Sequence, residues 1–208
     1  MGRVLPILFN GDMVRAILDG RKTVTRRVIR FPVNSFTGRI PIADDVRVST
    51  NTLWSKEVSF FEGSVTFGVR PPYGIGDILY VRETWHKYKK RVGHGENCRL
   101  REFYGYKASI ANSEDASEKW RPSIHMPKQA ARIWLKVTDV RAERLKDIDA
   151  LGCQREGVDI TRNGVFKRFS SLWESSIRKE EIDRYGWDAN PWVWVIEFER
   201  CEKPEREG

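Results

Sequence analysis

The sequence predicts an α+β fold in which β-strands predominate, a few short helices flank them, and the strands close or half close into a small barrel. Residues 131–140 alternate between apolar and polar positions, with Ile133, Leu135 and Val137 on one side, as a half-buried strand does. The other predicted strands lie far from this one in the chain, so distant segments must pair to bury their apolar faces. A barrel achieves this without leaving long open edges.

The first part of the chain predicts a strand, a helix and a second strand. Residues 4–9 are apolar and end at Asn10, a good N-cap for a helix over residues 10–19. The apolar residues of this helix recur at helical spacing: Met13, Val14, Ile17 and Leu18. Gly20 can end the helix because it tolerates a positive φ, and the β-branched segment 23–29 is predicted as a strand.

The remaining predicted elements are separated by irregular segments. Strands are predicted at residues 58–67, 78–85, 103–107, 131–140 and 192–198. Two more helices are predicted, one at 145–155 that Gly157 can end and an amphipathic one at 166–177. Residues 87–101 are predicted to be a basic, mobile loop and residues 111–119 a surface loop.

The charge balance favours a polyanionic partner. The chain has 37 Lys and Arg residues against 29 Asp and Glu residues, which gives a net charge of +8. A basic chain of this size points to nucleic acid or a nucleotide as the partner.

Cysteine and hydropathy patterns exclude several classes of protein. The three cysteines and three histidines are scattered and form no zinc-binding spacing, so we expect neither a structural metal nor a disulfide framework. The chain begins without an apolar signal core and contains no run long enough to span a bilayer. A cytoplasmic protein without a membrane partner is therefore expected.

Residues 20–27 hold four bases and two hydroxyls without an acid. Lys22 is placed at the turn between the first helix and the second strand, where it and Thr25 can converge on a small anion or a carbonyl group. In a regular strand these two positions point to opposite faces, so convergence requires that the chain is still turning at Thr23. The simpler alternatives are a solvated turn lysine and an ordinary strand threonine.

Other candidate residues have equally ordinary alternatives. Arg82 and Glu83 lie in an apolar strand, where the inward-facing charge is either a structural salt bridge or a group that meets a ligand. Trp85 can stack on a base or close the end of the barrel, and His125 can be a packed residue or a phosphate ligand. Two basic clusters can be solvated or can follow a phosphate backbone: Arg26, Arg27, Arg30, Lys87, Lys89, Lys90 and Arg91.

Several of these segments together resemble the ASCH domain, a relative of the PUA fold, and are most similar to ASCH proteins of phages and prophages. The matching segments are residues 20–27, 76–85, 121–127, 141–148, 156–157 and 190–194. The resemblance implies one domain over residues 1–208, with a PUA-like small β-barrel and insertions at 31–68 and 87–119. It also implies a cleft near the first helix–strand turn that takes RNA or a modified nucleoside.

One branch of that family, the small bacterial amidohydrolases, removes the acyl group of N4-acetylcytidine. Its Gly-Arg-Lys-Thr-hydrophobic-Thr motif places the catalytic lysine on Lys22 and the catalytic threonine on Thr25. Its glutamate follows an alanine by three residues, which corresponds here to Cys153 and Glu156. Hydrolysis of an N-acyl cytosine needs a nucleophile and a proton shuttle, and these roles fit Thr25 as nucleophile, Lys22 as its base and Glu156 as the group that orients the lysine or carries the proton to the leaving amine. Expected ligand contacts come from Arg21, Arg26, Arg27, Arg82, Glu83, Trp85 and His125.

Two further functions remain open alongside the hydrolysis of an N4-acylcytidine-type amide. The chain can be an RNA-binding module without catalysis, or a ribonuclease that acts with or without a metal. No cofactor is expected.

Overall fold

The computed structural model describes residues 2–34, 37–48, 58–94, 98–109, 119–160 and 163–204. In these ranges the strands are β1 Val4–Leu8, β2 Val24–Val28, β3 Val46–Val48, β4 Val58–Glu62, β5 Val65–Val69, β6 Ile78–Arg82, β7 Trp85–Val92, β8 Arg99–Tyr106, β9 Trp134–Arg144 and β10 Trp192–Cys201. The α-helices are α1 Gly11–Leu18, α2 Ala150–Arg155, α3 Val165–Ser176 and α4 Ile182–Tyr185. The predicted α+β class, rich in strands and with short helices, is confirmed.

Five strands form the main sheet in the order β1-β6-β9-β10-β2. The pair β1–β6 is parallel and the other neighbours are antiparallel. No backbone ladder joins β1 to β2 among the described strands, which leaves this sheet open. The side chain of Arg27 in β2 spans that gap, since its Nη2 donates to the Leu8 carbonyl oxygen at 2.9 Å. The closed PUA-like barrel therefore stays a prediction, as does the single domain over residues 1–208.

Both faces of the main sheet are covered. In β10, Trp194 and Ile196 pack into one apolar cluster with Val14 of α1, whereas Val193 and Val195 pack into a second cluster against α2 and α3. This arrangement follows from the two-residue period of a strand. It places α1 and α2 on opposite sides of the sheet, beside the edge strand β2.

The predicted start and end of α1 are confirmed. The Asn10 side chain accepts a hydrogen bond from the Met13 amide at 2.9 Å, as an N-cap residue does. Gly20 has a φ of +73°, which a residue without a Cβ adopts at little cost. The chain therefore leaves α1 in a sharp turn that leads directly into β2.

The prediction of a basic loop at 87–101 is wrong for residues 87–92 and 99–101, which lie in strands β7 and β8 and pair as an antiparallel β-hairpin, while residues 95–97 lie outside the described residues. Every residue of β7 from Lys87 onward is exposed, so the strand has no buried face and no apolar alternation to indicate it. The strand predicted at 103–107 is the end of β8. Residues 111–118 of the predicted surface loop lie outside the described residues.

The segment predicted as an insertion at 31–68 contributes a three-stranded sheet in the order β3-β4-β5. The strand predicted at 58–67 is in fact two strands, β4 and β5, which pair antiparallel. Phe60 is fully buried and packs its ring against Phe31 and against Trp192 of the main sheet, with centroids 4.9 and 5.6 Å away. The small sheet is thus part of the main core.

Two predicted boundaries shift. The strand predicted at 131–140 is β9, which begins later, at Trp134, and ends later, at Arg144. Residues 145–155 are not one helix, because a 3₁₀ turn at Leu145–Asp147 precedes the shorter α2. Within the described ranges, no helix is long and apolar enough to cross a membrane.

Candidate functional site

Lys22 and Glu156 form a buried ion pair although 134 residues separate them. The Lys22 Nζ donates to Glu156 Oε2 at 2.5 Å, to the Glu156 carbonyl oxygen at 3.0 Å and to the Val24 carbonyl oxygen at 2.7 Å. The Lys22 side chain has no exposed surface, and that of Glu156 is 5 % exposed. All three ammonium protons therefore have an acceptor, as a buried lysine requires.

The backbone around α1 and α2 brings these two residues together. The amides of Arg21 and Lys22 both donate to the Ala16 carbonyl oxygen, which closes the turn after α1. Lys22 then pairs with Glu156 in an antiparallel bridge. Gly157 follows with a φ of +96°, and a Cβ there would lie 2.8 Å from the Ala16 Cβ. Glycine at this position thus allows the end of α2 to approach α1 closely.

Thr25 lies on the face of the sheet toward Phe9, whose ring the Lys22 ammonium approaches. It is buried and pairs directly with Ile196, so the two side chains share a face. Ile196 belongs to the same apolar cluster as Phe9, and the Lys22 Nζ lies 5.6 Å from the Phe9 ring centroid. The strand begins only at Val24, so Lys22 precedes the regular alternation and is free to turn toward this face.

Arg26 and Arg27 extend the site to both faces of β2. The Arg27 guanidinium carbon lies 5.7 Å from the Phe9 ring centroid, next to the lysine. Arg26 faces the other way and donates from Nη1 to Glu156 Oε1 at 3.2 Å, with Glu143 Oε2 3.5 Å from its Nη2. The Glu156 carboxylate is therefore held between the Lys22 ammonium and the Arg26 guanidinium.

Burial lowers the pKa of Lys22 below its ordinary value, and the nearby guanidinium charges of Arg26 and Arg27 act in the same direction. The contact with Glu156 opposes this shift by stabilising the ammonium form. A lowered lysine pKa increases the share of the neutral amine, which is the form that can accept a proton.

A cavity of about 220 Å³ opens on the Arg26 side of the sheet, between β2, β9 and α2. Its wall combines the guanidinium groups of Arg26, Arg141 and Arg155 with acidic side chains. Neither the Lys22 nor the Glu156 side chain contributes to this wall. The cavity therefore meets the ion pair through two of its lining residues, Arg26, which binds Glu156, and Val24, whose carbonyl oxygen accepts from Lys22.

Arg21 lies at the edge of this site. Its Nη1 donates to the Gly157 carbonyl oxygen at 3.0 Å and its Nη2 to the exposed carboxylate of Asp19 at 2.9 Å. The side chain is about half exposed, so it can reach a solvent-borne ligand next to the turn.

Glu83 has a structural partner that the sequence did not reveal. Its carboxylate is almost fully buried and accepts two hydrogen bonds from Arg132, from Nε at 2.8 Å and from Nη2 at 2.9 Å. Of the two alternatives for the inward-facing charge in the strand predicted at 78–85, a structural salt bridge or a ligand contact, Glu83 forms the salt bridge. The only indication in the sequence is that Arg132 is a lone base between Ala131 and Ile133, just before β9.

Three other predicted ligand residues lie near the β6–β7 junction, away from Lys22: Arg82, Trp85 and His125. Arg82 donates to the Ile124 carbonyl oxygen, which ties it to the exposed 3₁₀ turn that carries His125. Trp85 is only 3 % exposed and packs in a third apolar cluster with Met126. This group and the Lys22 group have no direct side-chain contact among the described residues.

The two groups nevertheless approach each other at the end of β1. Leu8 pairs with Arg82, and its carbonyl oxygen accepts the hydrogen bond from Arg27. Phe9, which no sequence pattern marked as a site residue, provides the ring on which Lys22 and Arg27 both lie. Its position next to the N-cap of α1 was the only available indication.

The three cysteines differ strongly in accessibility, and the structure gives them no disulfide. Burial raises the pKa of the Cys153 thiol to about 11, and the pKa of Cys201 is raised for the same reason. Cys98 is exposed. Within the described part of the chain, no group of three or more His, Cys, Asp or Glu residues is arranged to hold a metal ion.

We therefore expect Cys98 to be alkylated first when the native protein is treated with iodoacetamide at mildly basic pH. The thiolate is the reactive form, and Cys153 is both buried and protonated at that pH. Mass spectrometry of peptides after limited reaction measures the order. Equal rates at Cys98 and Cys153 in the native protein would contradict the burial, while equal rates in denaturant serve as the control.

Comparison of the chain with models of protein families, with curated proteins and with solved structures finds no match.

Proposed function

We propose that this protein is an ASCH-type hydrolase with a PUA-like barrel, which cleaves N4-acylcytidine-type amides with Lys22, Thr25 and Glu156. The observation that carries the proposal is the buried contact between Lys22 and Glu156. The resemblance to the amidohydrolases requires that these two residues meet, and their separation of 134 residues gives no local reason for it. The side chain of Arg27 that links β2 to β1 is consistent with a half-closed barrel.

The proposed reaction is an acyl transfer in two steps. The neutral amine of Lys22 removes the proton from the Thr25 hydroxyl, and the oxygen attacks the acyl carbon of the substrate. The bond between that carbon and N4 breaks, and the Lys22 ammonium returns the proton to N4, which releases cytidine. Water then cleaves the threonine ester, which yields the free carboxylic acid and restores the hydroxyl.

Each partner in the contact has a defined task in this scheme. Glu156 orients the lysine and stabilises the ammonium that forms after the first proton transfer. The Lys22 Nζ is bound to the Val24 carbonyl oxygen, one peptide unit from Thr25. The scheme requires that Nζ exchange this acceptor for the Thr25 hydroxyl. Arg27, on the same face, supplies a positive charge near the developing oxyanion.

The wild-type protein is expected to convert N4-acetylcytidine to cytidine, which ultraviolet absorbance detects. Thr25→Val and Lys22→Met remove the nucleophile and its base, so each should lower kcat/KM by a factor of about 100 or more. Thr23→Val is the matched control, because Thr23 belongs to the same motif and lies outside β2. An inert wild type, or a Thr25→Val variant as active as Thr23→Val, would refute the proposed hydrolysis.

A binding role without catalysis is the second candidate, and the charge distribution favours it. Residues 85–106 contain six bases and two acids, a net charge of +4, which is half of the +8 of the whole chain. Such a local excess of positive charge attracts a phosphate backbone.

A further inference from the structure

The β7–β8 hairpin extends from the core into solvent. Trp85 anchors its base, where it is buried and forms a bridge with Arg121. Beyond that anchor, Lys87–Val92 and residues 98–102 are all exposed. A two-stranded ribbon that buries neither face does not contribute to the core, so its exposed side chains are available to a partner.

One face of the hairpin carries a row of aromatic rings. Tyr88 lies opposite Phe103 on the neighbouring strand, and their rings are near parallel with centroids 5.8 Å apart. His86, on the same face, is stacked on Tyr88 at 5.3 Å. Gly105 lies opposite His86, and a Cβ there would overlap the imidazole at 1.8 Å from Nε2. The absence of a side chain at position 105 thus makes room for this row.

The row is closed at one end and bordered by cations at the other. Trp120 covers His86 at the base of the hairpin, with ring centroids 4.7 Å apart. Toward the tip, the next cross-strand pair on the same face is Lys90 and Arg101, both exposed. Exposed Tyr88 therefore lies between a closed aromatic end and a pair of positive charges.

We propose that this face of the hairpin binds single-stranded nucleic acid, with a base against the Tyr88–Phe103 rings and the adjoining phosphates on Lys90 and Arg101. Single strands offer unstacked bases that can join aromatic rings, and their backbone follows a row of cations. In a duplex the base faces are already occupied by stacking. The strand can be RNA or DNA, since both have this chemistry.

This inference concerns a different surface from the Lys22 site and goes beyond the proposed hydrolysis. The hairpin variants are expected to hydrolyse free N4-acetylcytidine like the wild type, because the nucleoside has no phosphate and the hairpin does not touch Lys22. A variant that loses binding of single-stranded nucleic acid but keeps hydrolysis, or one that keeps binding but loses hydrolysis, separates the two proposals.

Fluorescence anisotropy with short labelled RNA and DNA single strands, and with duplexes of the same sequence, tests the proposal. At about 50 mM salt, Lys90→Glu/Arg101→Glu should weaken single-strand binding by about tenfold or more and reduce the slope of log K against log salt. Tyr88→Leu keeps apolar bulk but removes the ring, so it should weaken binding about fivefold with the slope unchanged.

The control is Lys167→Glu/Lys179→Glu, which makes the same change in net charge at two exposed lysines in and after α3. Its affinity should stay within about twofold of the wild type, because screening limits distant charges. Thermal unfolding of each variant verifies the fold. Equal binding of duplex and single strand, wild-type affinity in the hairpin variants, or an equal loss in the control would overturn the proposal. Tighter binding of RNA than of DNA, or the reverse, identifies which nucleic acid the hairpin binds.

Discussion

Replacement of Glu156 by glutamine is expected to lower the free energy of unfolding by about 3–5 kcal/mol. The variant keeps the size of the side chain but leaves the Lys22 ammonium without a counter-charge in a site where it has no exposed surface. The Arg26 guanidinium, which also binds that carboxylate, loses its buried partner. Removal of one member of a buried ion pair costs this much because the remaining charge stays desolvated.

Urea unfolding monitored by tryptophan fluorescence measures the loss. The double variant Lys22→Met/Glu156→Gln should be more stable than Glu156→Gln alone, since it removes the orphaned charge together with its partner. Asp19→Asn is the control, because it breaks the exposed pair with Arg21 and should cost less than about 1 kcal/mol. A loss for Glu156→Gln no greater than that of Asp19→Asn would contradict the buried pair.

This stability test bears on catalysis as well. A catalytic lysine that is also a structural residue ties activity to folding, so loss of hydrolysis in a Lys22 variant has two explanations. Thr25→Val separates them, because valine keeps the shape of threonine and leaves the Lys22–Glu156 ion pair in place. If Thr25→Val folds normally and is inactive, the hydroxyl acts in the chemistry and not in the fold.

Local features of the fold could be predicted from the sequence because their causes are local. The N-cap at Asn10, the positive φ of Gly20 and the amphipathic α1 follow from residues within one or two turns of each other. The turn at Lys22 was predicted for the same reason.

Pairing across long stretches of chain could not be predicted from the residues alone. Only the family resemblance indicated that Glu156 meets Lys22, and nothing indicated that Arg26 would hold the other carboxylate oxygen. Likewise Arg132 reaches Glu83 from a segment 49 residues away. Charged partners of this kind have no periodic pattern, because one well-placed side chain is sufficient.

The hairpin β7–β8 was missed for a different physical reason. Alternation marks a strand only where one face is buried, and this ribbon is exposed on both faces beyond its base. Exposure of both faces is the reason why the sequence gives no strand pattern here, and it also makes the hairpin a candidate binding surface. A segment that alternated between apolar and polar residues would instead have packed one face into the core.

Phe60→Ala is expected to lower the free energy of unfolding by about 3–5 kcal/mol. The variant tests whether residues 31–68 are an appendage or part of the core. The Phe60 ring is fully buried and lies between Phe31 and two tryptophans of β10, Trp192 and Trp194. Its truncation leaves a cavity at the junction of the two sheets, and the surrounding rings can close it only in part.

The neighbouring residue provides the control. Phe61 has the same side chain one position later in β4, and it points to the opposite face, where 36 % of the residue is exposed. Phe61→Ala should cost less than about 1 kcal/mol, since little apolar surface is removed from the core. Urea unfolding of the two variants compares them directly. Equal, small losses would mean that the three-stranded sheet folds apart from the main sheet, whereas a large loss for Phe60→Ala alone means that both sheets share one core.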